Sequence, residues 1–406
     1  MIGLDGQGTK GVGPAGLASV LRRKGALTPD WLPAYQAVPR DAFVPDTLWP
    51  GTAGGNRQGE VIDRNVDPAR WWRTVYSDVP LTTQWDDGAH AGADKGRAPT
   101  SSSSMPRMVF SMLGALGVEC RNRVLEVGTG TGWNAALLAY RLGPDNVVTI
   151  EVDPGVADEA RRRFAAIGLT PLSVVGDGAE GYGDGAPYDR VIATCGIVRV
   201  PYPWVEQCRP GGLVVAPWGP PYGGQAVARL RVGECGVASG PFVMSSAFMR
   251  LRDQRDTFPA TSAFPGADQW PGDGERRTSS LSPDDMGDWH HMFTLGVQVP
   301  DMFCRVSWGE RGAYRLWLLD MAGTSWATAD YAHDRSDFEV VQYGPRRLWD
   351  EAEAVMSWWC EKGRPRFERY GLTVTPQGQR VWLDRPDNPV PVRAPGDRPP
   401  CRSVSP

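Results

Sequence analysis

At 406 residues the chain is longer than a usual single domain, so two units are expected, each large enough to bury a core. Forty-three Lys and Arg against 47 Asp and Glu give a formal charge of -4 with no dense basic run, which argues against nucleic acid as the main partner. Seven scattered cysteines, odd in number and never spaced Cys-x-x-Cys, argue against a disulfide framework or a thiolate zinc site.

The opening Met1-Ile2-Gly3-Leu4-Asp5 lacks a signal-peptide pattern, and no stretch reaches about 18 apolar residues, so a cytoplasmic protein without a membrane partner is expected. The Gly-rich first dozen residues read as loose. Leu17, Val20 and Leu21 then suit a short helix within Ala15 to Leu27. Residues 51–60 and 86–99, rich in Gly, Asp and Ala, read as loops, and Met105 to Leu116 reads as a helix. From there strands and helices alternate. Strands are expected at Val124 to Val127, Val147 to Ile150, Leu172 to Val175, Arg190 to Ala193 and Leu213 to Ala216, with helices at Trp133 to Leu142, Val156 to Ile167 and around Trp204 to Cys208. This alternation predicts an α/β fold, a Rossmann-like, doubly wound, mainly parallel sheet over residues 1–250.

Residues 251–288, poor in apolar side chains, read as a linker or long loop. Beyond them, strand-like runs at Met302 to Trp308, Ala313 to Leu319, Ser325 to Tyr331 and Phe338 to Tyr343 precede a helix carrying Leu348, Ala352, Val355 and Trp359. A hairpin joins Leu372 to Thr375 with Arg380 to Leu383. Residues 289–406 are therefore expected to form an accessory α+β domain. The adjacent pair His290-His291 would point to different sides of a helix or strand, so no metal site is expected.

Chemistry concentrates where Glu126-Val127-Gly128-Thr129-Gly130-Thr131-Gly132 joins a strand to a helix, because glycines let the backbone approach a bound cofactor. A dinucleotide fingerprint needs a sixth-position glycine; counted from Gly128 that position is Trp133, whose indole would crowd a pyrophosphate. A methionine-derived cofactor has no pyrophosphate and fits the shorter turn. Glu151, ending the next strand, can accept from both ribose hydroxyls, and Asp177, between Gly176 and Gly178, can accept from an adenine amino group.

Several segments then coincide in order: Val38-Pro39-Arg40-Asp41-Ala42-Phe43, Tyr76-Ser77-Asp78-Val79-Pro80-Leu81, Val124 to Asn134, Gly176-Asp177-Gly178, Ala186-Pro187-Tyr188-Asp189 and Gly211 to Gly219. Over roughly residues 15–250 the chain resembles the protein-L-isoaspartate O-methyltransferase family. The resemblance implies S-adenosylmethionine as cofactor. It puts Glu126, Gly128, Thr129, Gly130, Thr131, Gly132, Asn134, Glu151, Val152, Asp177 and Gly178 at cofactor-binding positions. Ser102-Ser103-Ser104-Met105-Pro106 matches that family's Thr-x-Ser-x-Pro segment, which makes Ser104 the candidate active-site hydroxyl, with Ser102, Ser103 and Thr194 facing the acceptor.

The chain departs from that pattern in a longer approach between Leu81 and Ser104, in Thr194-Cys195-Gly196-Ile197-Val198 where the family has alanines ending in proline, and in its added C-terminal part. Tailed relatives resemble methyltransferases of ribosomally made peptides, such as lanthipeptides or ATP-grasp-ligated peptides, which esterify a chosen Asp that then closes to aspartimide. The expected partner is therefore a modified precursor peptide. The alternative is an isoaspartyl protein under repair.

Overall fold

The computed structural model of the protein describes residues 13–51, 59–90, 92–265 and 274–393, so the Gly-rich opening and the final residues of the expected accessory domain lie outside the described residues. Helices α1 (Pro14–Arg23) and α2 (Leu32–Ala37) precede a small sheet made of β1 (Thr47–Pro50), β2 (Ile62–Asp63), β3 (Leu81–Trp85) and β4 (Pro99–Ser103). Between β2 and β3 lies α3 (Pro68–Val75), and after β4 comes α4 (Pro106–Leu116).

The methyltransferase-like core follows as β5 (Val124–Val127), α5 (Trp133–Leu142), β6 (Val147–Glu151), α6 (Pro154–Ala166), β7 (Leu172–Val175), β8 (Tyr188–Ala193), α7 (Pro203–Glu206) and β9 (Cys208–Trp218). These five strands run parallel in the order β9-β8-β5-β6-β7. Two antiparallel strands, β10 (Ala226–Val232) and β11 (Ala238–Ser245), extend the β9 edge. The fold is Rossmann-like, and its order reverses beside β5, the place where open α/β sheets hold ligands. Successive residues of the parallel strands serve opposite faces. Val124, Val147, Ile192 and Val215 meet α4, α5 and the N-terminal helices, while Leu125, Val148, Val191 and Val214 meet α7 and the later helix α8 (Trp289–Gln298).

The accessory sheet has the order β12-β16-β15-β14-β13, formed by Glu275–Ser279 (β12), Met302–Trp308 (β13), Tyr314–Asp320 (β14), Trp326–Tyr331 (β15) and Phe338–Tyr343 (β16). Helix α9 (Leu348–Glu361) packs on it, tied by the buried pair Arg346 and Glu351 and by Arg277 to Asp350 and Glu353. Two expectations are corrected here. The 251–288 stretch is more than a linker, since it contributes β12. The hairpin β17 (Tyr370–Thr375) and β18 (Gly378–Leu383) leaves the accessory unit and pairs through β17 with β11, completing a nine-stranded sheet.

Helix α8 joins the two units. Phe293 and Val297 enter the core of the large sheet, where Phe293 packs edge-on against Trp218, Phe242 and Tyr370, while Leu295 and Val299 enter the accessory core. Full burial of side chains of this size is worth roughly 1.5 to 3 kcal/mol each. Close approach depends on glycine at the turn between β9 and β10: a Cβ on Gly224 would stand 2.5 Å from the Phe293 backbone nitrogen. Among the described residues no helix is long and apolar enough to cross a membrane.

Candidate active site

The glycine turn runs from the end of β5 into α5. Gly128, Gly130 and Gly132 take φ values of 93°, 53° and 94°, the left-handed region that penalises a side chain. Space is tight as well, since a Cβ on Gly128 would clash at 2.8 Å with Thr194 Oγ1 and one on Gly130 would press on the Ser102 carbonyl oxygen at 3.3 Å. The Gly128 amide donates to the Ile150 carbonyl at 2.9 Å, and the Gly130 amide donates to Glu151 Oε2 at 2.9 Å. Glu151 Oε1 accepts from the amides of Val152 and Asp153, at 3.0 and 3.2 Å. Its carboxylate is thus oriented by backbone and remains half-buried at the cavity wall.

Beneath the turn lies a buried polar chain. Glu126 accepts from Asn134 Nδ2 at 2.7 Å and from Thr149 Oγ1 at 2.6 Å, and Thr149 Oγ1 lies 2.6 Å from Thr129 Oγ1. Burial pushes the Glu126 carboxyl up to about 7, and the neighbouring Glu151 charge adds to the rise, against the two hydrogen bonds. Thr194, expected to face the acceptor, instead turns its hydroxyl to the carbonyls of Gly128 and Val127, so it holds the turn.

The opposite wall is the end of β4 and the start of α4. Arg40, 1 % exposed, spreads its guanidinium over carbonyl oxygens of Val75, Ser77, Val79, Ser103 and Ser104. Ser103 is buried and its Oγ accepts from Arg40 Nε at 3.4 Å, which makes its side chain part of this anchor. Ser102 and Ser104 are half-buried and face the cavity. The Arg40 segment and the Tyr76 to Val79 segment, distant in sequence, are thereby two halves of one support for the serine loop.

Every cofactor and acceptor position expected from the sequence lines this one cavity except Gly132 and Asp177. Gly132 caps α5, where an added Cβ would strike the Phe164 ring. Asp177 is exposed, and its carboxylate accepts from the Ala179 amide at 2.9 Å, capping a single 3-10 turn; its neighbour Gly178 reaches the wall. The chain from Phe248 to Arg252, with Arg255, closes the cavity and carries no motif that would announce it. Arg255 makes a two-pronged pair with Asp87, at 2.7 and 2.8 Å, and Arg252 reaches the same carboxylate at 3.0 Å. Gln84 Nε2 donates to Asp153 at 3.0 Å, so the β3–β4 hairpin is fastened to the cofactor side as well. Cys195 lines the wall with its thiol pushed up to about 12 by burial, and stays protonated.

The residues fit S-adenosylmethionine: a turn that only glycine can make, a fixed carboxylate at the end of the second strand, and Ile150, Cys195 and Leu251 as an apolar wall. A family model described as protein-L-isoaspartate(D-aspartate) O-methyltransferase matches residues 60–256. The Ignicoccus hospitalis protein-L-isoaspartate O-methyltransferase is 41 % identical over 186 residues, 45 % of this chain and 71 % of that protein. The chain belongs to the protein-L-isoaspartate O-methyltransferase family. As a member of that family it is a carboxyl O-methyltransferase that uses S-adenosylmethionine. The Methanoculleus marisnigri protein-L-isoaspartate O-methyltransferase is 34 % identical over 201 residues, covering 49 % of this chain and 74 % of that protein. A solved structure titled protein-L-isoaspartate O-methyltransferase, 18 % identical, superposes with a TM-score of 0.51 and covers 92 % of this chain and 100 % of its own, a likeness of fold.

Proposed function

We propose that this methyltransferase esterifies the carboxylate of isoaspartyl residues in damaged polypeptides. The observation that carries the reading is the position of Ser104, held by Arg40 on one wall of the cofactor cavity while the glycine turn and Glu151 form the other. The expectation of a dedicated peptide-tailoring enzyme rested on the added C-terminal unit together with the longer approach between Leu81 and Ser104 and the altered wall at Thr194 to Val198. The isoaspartyl reading is favoured over it by the relatives that match at 34 to 41 % identity, each a protein-L-isoaspartate O-methyltransferase.

The chemistry asks little of the protein beyond placement. Carboxyls have unperturbed pKa values of about 4 or below, so the acceptor is already the ionised nucleophile at neutral pH and no general base is required. When bound, S-adenosylmethionine supplies the activated methyl group. In this reading the Ser104 hydroxyl donates to one acceptor oxygen and leaves the other directed at the cofactor side, an orientation effect worth on the order of 7 to 11 kcal/mol when geometry is ideal. Glu151 is the residue proposed to hold the ribose hydroxyls, and the Arg252 and Arg255 pairs with Asp87 keep the cavity mouth covered.

The test is methyl transfer to two synthetic peptides that differ only in carrying isoaspartate or aspartate at one position. Methylation of the isoaspartyl peptide, with the aspartyl peptide inert, is expected. Equal methylation of both, or transfer to neither, would overturn the reading.

A further inference from the structure

A second, larger recess of about 970 Å³ adjoins the cofactor cavity and shares Ser102, Ser104, Phe248 and Met249 with it. Its far wall belongs to α8, through Trp289 and Met292, and to Cys304 of the accessory sheet. Five methionines line it: Met105 and Met108 from the α4 side, Met244 and Met249 from β11 and its continuation, and Met292 opposite. They are five of the chain's 11 methionines, and each is half-buried, with neither a packed core position nor an open one among them.

We propose that this recess receives the apolar side chains flanking the acceptor residue in an unfolded polypeptide, with the methionines as an adaptable lining shared between the two units. The proposal rests on the isoaspartyl reading for the identity of the acceptor. Methionine side chains are unbranched and polarisable and repack around differently shaped partners, which is why they recur on surfaces that bind many sequences. Trp289 adds a fixed flat face, since its Nε1 donates to the Gln225 carbonyl at 3.2 Å.

Charge selects the same occupant. Among the described lining residues Arg107 is the one formal charge, and Cys304, pushed up to about 11 by burial, stays neutral. Asp78, beside Arg107, is also shared with Lys24, so the cluster keeps a net positive charge. An ionised acceptor entering here meets a cation and no lining carboxylate. Ser246 supplies a further contact: it is 3 % exposed, it lines the recess, and among the described residues its hydroxyl has no hydrogen-bond partner, as suits a group awaiting a peptide carbonyl or amide.

The experiment uses the full chain and two isoaspartyl peptides of equal length, one with Leu and Phe beside the acceptor and one with Gly and Ser. The ratio of their kcat/KM values should favour the apolar peptide by about tenfold in the natural protein. In Met292→Ala, and separately in Met244→Ala on the opposite wall, that ratio should fall severalfold toward one. A ratio near one in the natural protein, or a ratio untouched by both substitutions, would overturn the proposal while leaving the isoaspartyl reading intact. If neither peptide is methylated, the isoaspartyl reading fails by itself. The recess is then tested by fluorescence anisotropy with the labelled apolar peptide: weaker binding to both variants supports it, and equal binding overturns it.

Discussion

Arg40 Nη2 donates to the carbonyl oxygens of Ser103 and Ser104 at 3.3 and 3.0 Å, so the proposed acceptor-facing serine is carried by a buried cation 64 positions earlier in the chain. Burial pushes the Arg40 pKa down to about 9, yet the group remains charged at neutral pH because the surrounding carbonyls and the Asp78 charge oppose that cost. Arg40→Lys keeps a positive charge but loses the planar fork that reaches five carbonyls. A loss of about 3 kcal/mol in stability is expected from the carbonyls left unpaired, together with a fall in turnover. Unchanged denaturant midpoint and unchanged turnover would show that the serine loop holds itself.

Ser104→Ala should lower turnover on an isoaspartyl peptide by about tenfold to a hundredfold while cofactor affinity stays within a factor of two, since the lost contact is on the acceptor side. Parallel calorimetry and methyl-transfer assays read the two effects separately. Turnover equal to the natural protein would move the role to Ser102, the other half-buried serine on the wall.

Glu151→Ala should weaken S-adenosylmethionine by about tenfold to a hundredfold, the value of charge-assisted hydrogen bonds to the ribose. Asp177→Ala should cost far less, because that carboxylate caps a surface turn. A loss from Asp177→Ala matching that from Glu151→Ala would return Asp177 to the binding site.

Two buried groups set opposite pH slopes. Burial holds the His291 pKa down at about 4, against the nearby Asp288 charge, so the unfolded chain binds a proton more readily than the native one between pH 4 and 6.5. Stability from this group is complete above pH 6.5 and is lost as pH falls, by about 3 kcal/mol once both forms are protonated. His291→Phe should flatten that acid limb in thermal melts. For Glu126 the native pKa, about 7, lies above its unfolded value, so its contribution is full below pH 4.5 and declines as pH rises through 7. The difference in melting temperature between the natural protein and Glu126→Gln should therefore shift in favour of the variant from pH 5 to pH 8, and a constant difference would contradict the burial argument.

Much of the parallel core was legible because strands alternate with periodic helices: Val124–Val127, Trp133–Leu142 and Leu172–Val175 have the bounds the pattern predicts, as do Met302–Trp308 and Phe338–Tyr343 in the antiparallel accessory sheet. Helix α8 was not, since it is only ten residues long and carries Gly296 and the β-branched Thr294 and Val297 in its interior, all weak helix formers. Strand β11 contains Gly240-Pro241, which reads as a turn; Pro241 stands at the end of the β11–β17 pairing, opposite Gly371. At the site, spacing located Glu151 and the glycines, whose backbone roles are local. It could not separate Gly178 from Asp177, or Ser104 from Ser103, because one side chain of each pair is consumed by a hydrogen bond that only the folded chain reveals.

The pairing of β17 with β11 has a mechanical consequence. The chain leaves the large sheet after Ser245 and returns to the same strand at Tyr370, with Pro241 opposite Gly371 and Ala238 opposite Val374. The accessory unit is thus fastened at both of its ends, like a handle on a cup, and cannot swing on a single hinge as an appended tail would. Between those two fastenings α8, the helix embedded in both cores, ties the units together a third time. Since Trp289 and Met292 belong to that helix, the far wall of the methionine-lined recess is held by the same attachments. The same double attachment means that cutting the chain after Arg255 would strip β11 of its outer partner and leave a bare edge prone to association.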